Sequence, residues 1–159
     1  MNTEYLTVDE VLAGYDDVVR LYPAVPSLSH WRAWERAAYR RQRLDGRVLD
    51  LGCGDGRYFR LNWPSVREAV GVDVDPAVAQ LGRASGVYSA VHQVPASRVP
   101  EPDASFDHAF ANCSLEHMDE LYRALRHSHD VGEVTTAEAR RAALALAHTD
   151  ELGRTWQID

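Results

Sequence analysis

The amino-acid sequence predicts an α/β fold, a three-layer sandwich with a mostly parallel sheet. Short apolar runs, which are typical of buried parallel strands, alternate with segments whose apolar residues have helical spacing. The first of these runs leads directly into a glycine-rich turn, and another helical segment follows that turn. The length of 159 residues suits one domain, and an apolar share of 45% is enough for a buried core.

Four apolar runs are the predicted strands, and we expect them to lie in the order 3-2-1-4 in the sheet. Two local signals mark helix starts: Thr7 with Glu10 matches a capping box, and Pro76 suits the first helical position. The predicted strands cover residues 48–51, 69–72, part of 87–94, and 106–111; the predicted helices cover 8–21, about 30–43, 57–62, 77–85 and 115 to about 127.

We predict a single domain, residues 1–159, with three parts. Residues 1–46 form a helical lid that carries several aromatic side chains, and residues 47–128 form the ligand-binding core. Residues 129–159 form an atypical helical tail, because small apolar residues there fall on one helical face.

The bulk composition excludes several function classes. The formal net charge is -7 with no run of Lys or Arg, so nucleic acid is not an expected partner. No apolar stretch is long enough for a bilayer, and the first residues do not resemble a secretory signal. Two cysteines do not make a disulfide framework. We therefore expect a cytoplasmic protein with no membrane segment.

The sharpest motif is VLDLGCGDG, from Val48 to Gly56. Glycines let the backbone turn with positive φ and let a ligand approach closely. The spacing is G-x-G-x-G, whereas a dinucleotide fingerprint is G-x-G-x-x-G with its helix facing a pyrophosphate. Asp50 and Asp55 bring negative charge to the loop, which is unfavourable beside a pyrophosphate and favourable beside an ammonium group. The expected ligand therefore carries a positive charge.

A second acidic position follows the next predicted strand. Asp73 lies about twenty residues beyond the glycines, as expected for an acid that binds ribose hydroxyls. One carboxylate can accept hydrogen bonds from both hydroxyls. Asp75 directly precedes Pro76, so we expect Asp75 to cap the following helix.

Three segments together carry a family resemblance. Residues 48–56 resemble motif I of the class I S-adenosylmethionine-dependent methyltransferases, and residues 70–73 (VGVD) resemble their second motif. Residues 102–107 (PDASFD) and 112–117 (NCSLEH) resemble the fourth-strand region of the small-molecule, ubiquinone/menaquinone-type branch. The match spans roughly residues 47–125. A single glycine motif is weak, but three motifs in order and at the right spacing are strong.

The resemblance implies a Rossmann-like fold, S-adenosyl-L-methionine as cofactor and a small-molecule acceptor. In the family pattern, Asp50 reaches the methionine amino group, partly through water, while Asp73 holds the ribose and Val74 packs on the adenine. The implied cofactor-binding residues are Asp50, Gly52, Cys53, Gly54, Asp73, Val74, Ala96, Ser97, Asn112 and Cys113.

The sequence departs from the family in two places. Pro95 stands where the family usually has an acid that contacts the adenine. After about Leu125 we find no proline-glycine-glycine turn, fifth strand or antiparallel hairpin, so the fold is predicted to be C-terminally shortened. The last strand would then be an open edge, which the tail helix or a second copy of the chain could cover.

Three functional hypotheses follow. The first is an enzyme that methylates O, N or C of a small metabolite. The alternative is a non-catalytic or truncated module that binds S-adenosylmethionine and dimerises, or binds a partner, through the open edge. A third, an NAD-type dehydrogenase, is disfavoured by the glycine spacing and by the acids of the loop.

A few residues have both a functional and an ordinary structural interpretation. His117, at the ligand-binding end of the sheet, is the best-placed candidate general base, but helix capping and packing are the favoured interpretation of this residue. Cys53 and Cys113 are predicted to be small buried fillers rather than catalytic thiols or ligands, and we predict no metal site. Tyr15 is the preferred lid contact, and Arg57 suits either the methionine carboxylate or the surface.

Overall fold

A computed structural model of the chain describes residues 5–118. Within this range, four parallel strands form one sheet in the order β3-β2-β1-β4, as the sequence predicts. The sheet has the Rossmann-like α/β topology. The strands are β1 (Arg47–Leu51), β2 (Glu68–Val72), β3 (Ala90–His92) and β4 (His108–Ala111).

The central strand β1 explains where the core lies. Its residues from Val48 to Leu51 are all buried, because the strand pairs with β2 on one side and β4 on the other. Val48 belongs to an aromatic cluster on one face of the sheet, and Leu49 and Leu51 belong to an aliphatic cluster on the other. Both faces are covered, as expected for a parallel sheet.

Two crossover helices connect the first three strands. Helix α4 (Arg57–Asn62) follows the glycine turn and packs Phe59 and the adjacent Trp63 into the aromatic cluster. Helix α5 (Pro76–Ala84) begins with Asp75 as its N-cap, whose Oδ1 accepts hydrogen bonds from the N–H groups of Ala77 and Val78. The predicted cap is therefore confirmed.

Three N-terminal helices form a separate apolar cluster against α4. They are α1 (Val8–Leu12), α2 (Tyr15–Leu21) and α3 (Pro26–Tyr39). Val11, Val18, Ala33 and Ala37 are its buried residues, and Leu61 of α4 packs against them. Helix α1 begins with the predicted capping box between Thr7 and Glu10.

The prediction of one helix over residues 8–21 is wrong. The chain breaks between α1 and α2 at Gly14, where the Arg36 side chain packs so closely that a Cβ would collide with it. Arg36 then reaches Asp17 of α2 at 3.2 Å. A tertiary ion pair therefore overrides the local helical pattern, which continues through Gly14.

The starts of helix α3 and strand β4 also differ from the prediction. Helix α3 begins at Pro26, about four residues earlier than predicted, and the Ser29 hydroxyl donates to the carbonyl of Tyr22 at 2.8 Å. Strand β4 begins two residues later than predicted, because Phe106 turns into the aliphatic core and the Asp107 carboxylate accepts from the backbone N–H of Arg47 at 2.7 Å.

The predicted C-terminal features fall largely outside the described residues. Of the helix expected from residue 115, the structure describes one 3-10 turn, Leu115–His117. The tail of residues 129–159 and the predicted absence of a fifth strand lie outside the described range. Within residues 5–118, β4 pairs only with β1 and is an edge of the sheet. In the part of the chain from 5 to 118, no helix has the length and apolarity needed to cross a bilayer.

Candidate cofactor site

The carboxyl ends of β1 and β4 form the candidate site. The chain builds β1, β2 and β3 outward in one direction and then returns to place β4 on the other side of β1. In such sheets, ligands bind outside the carboxyl ends of the strands where the order reverses. The loops after the two strands touch there, since the Ser114 hydroxyl donates to the carbonyl of Leu51 at 2.6 Å.

Two glycines of the loop that follows β1 have positive φ angles. Gly52 has φ +73° and Gly54 has φ +57°, values that favour glycine. A Cβ on Gly52 would collide with the side chain of Ser114, whereas a Cβ on Gly54 would have no atom within 4 Å. The space beside Gly54 is therefore open for a ligand.

The backbone N–H groups of this loop are mostly used within the protein. Those of Gly52 and Cys53 donate to the carbonyl of Val72 at 2.8 and 3.0 Å, and that of Gly56 donates to Cys53 at 3.1 Å. The N–H of Gly54 donates to Asp73 at 3.2 Å. A pyrophosphate site needs such groups free to face the ligand. The loop geometry thus argues against a dinucleotide, as the spacing also does.

Asp73 links the glycine loop to the loop after β2. Its Oδ2 accepts from Gly54, and its Oδ1 accepts from the N–H of Asp75 at 3.0 Å. A carboxylate has about four lone-pair sites. Two backbone hydrogen bonds therefore fix the orientation of Asp73 and leave acceptor capacity for hydroxyl groups of a ligand.

The residues around Asp73 include the predicted adenine contacts. Val74 is 68% exposed although it is apolar, so its side chain offers an uncovered surface at the strand end. Ala96 and Ser97 lie in a 3-10 turn after β3, and both are partly buried. Pro95 directly precedes that turn, where the family usually has an acid. The roles of these residues stay predictions.

Asp50 is buried beneath the loop, with only 2% of its surface exposed. The hydroxyl of Tyr88 donates to its Oδ2 at 2.5 Å. Burial raises the pKa of Asp50 to about 7, the Tyr88 hydrogen bond opposes this rise, and the charge of Asp73 adds to it. A cation close to Asp50 would favour the ionised carboxylate. The burial suits an indirect contact better than a direct one.

Asp55, the second acid of the glycine loop, does not bring the unmatched negative charge that the sequence predicts. Asp55 forms an ion pair with Arg57 at 2.6 Å, and the Arg57 backbone N–H also donates to Asp55. Its charge is therefore matched within the protein. Of the two acids, only Asp50 retains an unmatched negative charge when ionised. Arg57 lies at the surface, which was one of its two predicted positions.

Helix α3 supplies a polar cluster at the end of β4. Arg32 donates to the Oδ1 of Asn112, and the Asn112 amide donates to the Tyr39 hydroxyl at 2.8 Å. Arg32 also pairs with Glu35 at 2.6 Å and contacts Cys113 Sγ at 3.3 Å. Asn112 and Cys113, both predicted beside the methionine part of the cofactor, are thus held by the N-terminal helices.

The two cysteines have different environments. Cys53 is buried, and its Sγ lies close to Gly71 and Gly82, neither of which leaves room for a side chain. Burial raises the pKa of its thiol, and the charges of Asp50 and Asp73 raise it further. Cys53 is the predicted buried filler. Cys113 is exposed with φ +50°, so the same prediction is wrong for Cys113.

His117 and Tyr15 are the candidate general base and the preferred lid contact. His117 is exposed at the end of the 3-10 turn after β4, and Tyr15 packs edge-on against His30 with ring centroids 6.3 Å apart. Their predicted roles stay untested. Across residues 5–118, no group of three His, Cys, Asp or Glu side chains could hold a metal ion.

Sequence reasoning missed Tyr88, Arg32 and Glu35. Tyr88 lies in the connection between α5 and β3, outside any recognised motif, and no pattern in the sequence indicates that it reaches Asp50. Arg32 and Glu35 had a usable signal, because opposite charges three residues apart on a helix face one another.

Comparison with known families identifies this architecture. Residues 49–133 match the family model described as a methyltransferase domain. The chain belongs to the methyltransferase-domain family. This confirms the resemblance drawn from the three motifs, and the matched range begins in β1 and includes every predicted cofactor-binding residue.

Two curated relatives are similar to this methyltransferase-domain chain. A malonyl-[acyl-carrier protein] O-methyltransferase from Pseudescherichia vulneris is 29% identical over 149 residues, which are 92% of this chain and 58% of the relative. One from Erwinia billingiae is 28% identical over 125 residues, which are 77% of this chain and 49% of the relative. The chain thus spans about half the length of the curated relatives it matches.

A solved structure supports the fold. A SAM-dependent methyltransferase from Thermotoga maritima superposes with a TM-score of 0.53 at 24% identity, covering 74% of this chain and 53% of that one. At this identity the likeness shows the shared α/β fold alone.

Proposed function

We propose that this chain is an S-adenosylmethionine-dependent methyltransferase that acts on a small-molecule acceptor. The observation that carries the proposal is the Asp73 carboxylate, which is fixed by Gly54 and Asp75 beside an open glycine loop. Family membership supports the reaction class. Two relatives carry the name of an O-methyltransferase, so we propose oxygen as the accepting atom ahead of nitrogen or carbon.

The described residues fit the cofactor in four respects. The empty space beside Gly54 admits a ligand close to the backbone, and the free lone pairs of Asp73 suit two ribose hydroxyls. The exposed Val74 side chain offers an apolar surface for a base. The internal use of the loop N–H groups suits a cofactor without a pyrophosphate.

The cofactor supplies a methyl group that is activated by its sulfonium. The chain's own residues then have to bind the cofactor and the acceptor and orient them for methyl transfer. Asp73 would hold the ribose, while Val74 would pack on the adenine with Ala96 and Ser97 at its edge. Asn112 and Cys113, which α3 holds in position, would border the methionine part. Holding two reactants in line can supply up to ~7–11 kcal/mol in favourable cases.

The relatives' name suggests a class of acceptor. Both are named for the malonyl group on an acyl carrier protein, so we propose a carboxylate acceptor, free or carried on a protein. A carboxylate oxygen is already deprotonated near neutral pH and needs no general base. His117 would then act as a base only for acceptors that must lose a proton.

The alternative, a non-catalytic or truncated module that dimerises through the sheet edge, is not favoured by the family match. Dimerisation, a cytoplasmic location and the absence of a nucleic-acid partner remain expectations. So does the division into a lid over residues 1–46 and a core over residues 47–128.

Calorimetric titration with S-adenosylhomocysteine tests the proposal directly. We expect micromolar or tighter binding to the whole chain, and loss of binding in Asp73→Ala because the ribose loses its acceptor. Asp45→Ala is the matched control, since Asp45 is an exposed acid before β1, at the opposite end of the sheet. Unchanged affinity in Asp73→Ala would overturn the site assignment.

A further inference from the structure

An open groove of about 490 Å³ lies between helices α2 and α4, outside the cofactor site. Its walls combine three arginines with an apolar floor and a single acid. The residues that line it are Asp17, Arg20, Leu21, Arg57, Arg60, Leu61 and Pro64.

The groove is cationic although the chain carries a net charge of -7. Its one acid, Asp17, is neutralised by Arg36, which approaches from α3 at 3.2 Å. Arg20 contacts the same acid only at 3.6 Å and is 77% exposed, so most of its charge faces solvent. Arg57 is paired with Asp55 at 2.6 Å, so the excess positive charge of the groove comes from Arg20 and Arg60 and not from the composition.

The apolar floor adds a second requirement for any partner that binds in the groove. Leu21 and Leu61 are half-buried, and Pro64 ends the floor beyond α4. A free small anion would leave these apolar groups uncovered. A surface that combines carboxylates with apolar side chains, such as an amphipathic acidic helix, would match both the rim and the floor.

The position of the groove relates it to the reaction. Arg57 is the first residue of α4 and directly follows Gly56, the last glycine of the cofactor loop. A protein seated on the groove is therefore adjacent to the loop. A group tethered to that protein would have a short path to the carboxyl ends of the strands.

We propose that this groove docks an acidic helix of the protein that carries the acceptor. The inference rests on the proposed function, because the docked protein delivers the group to be methylated. Positive charges on the rim steer the acidic partner into contact, and the leucine and proline side chains are covered on docking.

The test measures binding of a malonyl-loaded acyl carrier protein, chosen as an acidic probe, to the whole chain by surface-immobilised kinetics. In Arg20→Glu we expect the association rate to fall by roughly threefold to tenfold at low salt, with little change in dissociation, because an exposed rim charge acts mainly on encounter. In wild type, the association rate should decline as salt is raised, and this dependence should be weaker in the variant.

Two controls make the result specific. Arg43→Glu makes the same charge change at an exposed arginine before β1, at the opposite end of the sheet, and should leave association within about twofold of wild type. Arg60→Gln, a second groove variant that removes one rim charge, should weaken association in the same direction as Arg20→Glu. Binding of S-adenosylhomocysteine should be unchanged in all three variants.

The outcomes separate the two proposals. If wild type binds S-adenosylhomocysteine but does not bind the carrier protein, the groove is not the docking site. The same conclusion follows if Arg20→Glu and Arg43→Glu weaken binding of the carrier protein equally. If wild type fails to bind S-adenosylhomocysteine, the proposed function itself is wrong. Binding of the carrier with selective loss in the groove variants supports the inference.

Discussion

The hydroxyl of Tyr88 donates a 2.5 Å hydrogen bond to the carboxylate of Asp50. Tyr88 comes from the connection before β3, and Asp50 comes from the central strand, so the contact ties a loop to the centre of the sheet. It is the one hydrogen bond in the described part of the chain that stabilises the ionised form of this buried acid. The ionisation of Asp50 near neutral pH therefore depends on Tyr88.

Replacing Tyr88 by phenylalanine should shift the pH dependence of cofactor binding. Without the hydrogen bond, the pKa of Asp50 rises further above about 7, so less of the acid is ionised at neutral pH. Titrations of S-adenosylhomocysteine should show weaker binding at pH 7 and recovery as the pH rises to about 9. Tyr5→Phe is the control, because Tyr5 is exposed. A pH profile identical to wild type would mean that Asp50 does not interact with the ligand's amino group.

Asp50 should also make the free energy of unfolding depend on pH. Its folded pKa of about 7 is above the usual value of 3.8, so the folded state binds more protons between these two pH values. The free energy of unfolding should thus fall as pH rises from about 4 to about 7, by up to ~1.4 kcal/mol per pH unit from this group. Denaturant unfolding of Asp50→Asn should lack this component. Compared with wild type, the variant should gain relative stability toward neutral pH while binding S-adenosylhomocysteine less tightly.

Gly71 should not tolerate a side chain. A Cβ there would lie 2.8 Å from the Sγ and 3.0 Å from the Cβ of Cys53. We expect Gly71→Ala to lower the free energy of unfolding by about 1–3 kcal/mol, as overpacked cores do. Cys53→Ala removes the sulfur and should recover part of the loss in a double-mutant cycle. Additive losses in the double variant would show that the two positions are not in contact.

The two thiols should react at very different rates. Cys113 is exposed, whereas Cys53 is buried and its pKa is raised by that burial. Labelling with a chromogenic disulfide should therefore modify one thiol quickly and the other only on unfolding. Cys113→Ser should abolish the fast phase. Because we predict Cys113 beside the methionine part of the cofactor, saturating S-adenosylhomocysteine should slow that phase, and an unprotected Cys113 would argue against this placement.

The sheet could be predicted from the sequence because its signals are local. Each strand is a short apolar run, and the glycine turn after β1 together with Asp75 before Pro76 marks where two helices start. Periodicity could not locate the break at Gly14, since the cause is the side chain of Arg36, some twenty residues away. Tertiary contacts of this kind leave no pattern in a single window of sequence.

The candidate site likewise combines features with a local sequence signal and features that depend on tertiary contacts. Asp73 could be identified because its distance from the glycines follows from one strand-helix-strand unit. The sequence alone did not reveal that the charge of Asp55 is matched, because its pairing with Arg57 depends on the first turn of α4. The links from Arg32 to Asn112 and from Tyr88 to Asp50 join residues that are far apart in sequence, so only the folded structure reveals them.

The two backbone hydrogen bonds to Asp73 have a consequence for binding kinetics. They immobilise the carboxylate during folding, so the conformational entropy of orienting it is lost before any ligand arrives. Association at this end of the sheet should then resemble capture by a preorganised receptor. In hydrogen exchange, the amides of Gly54 and Asp75 should already be protected in the protein alone.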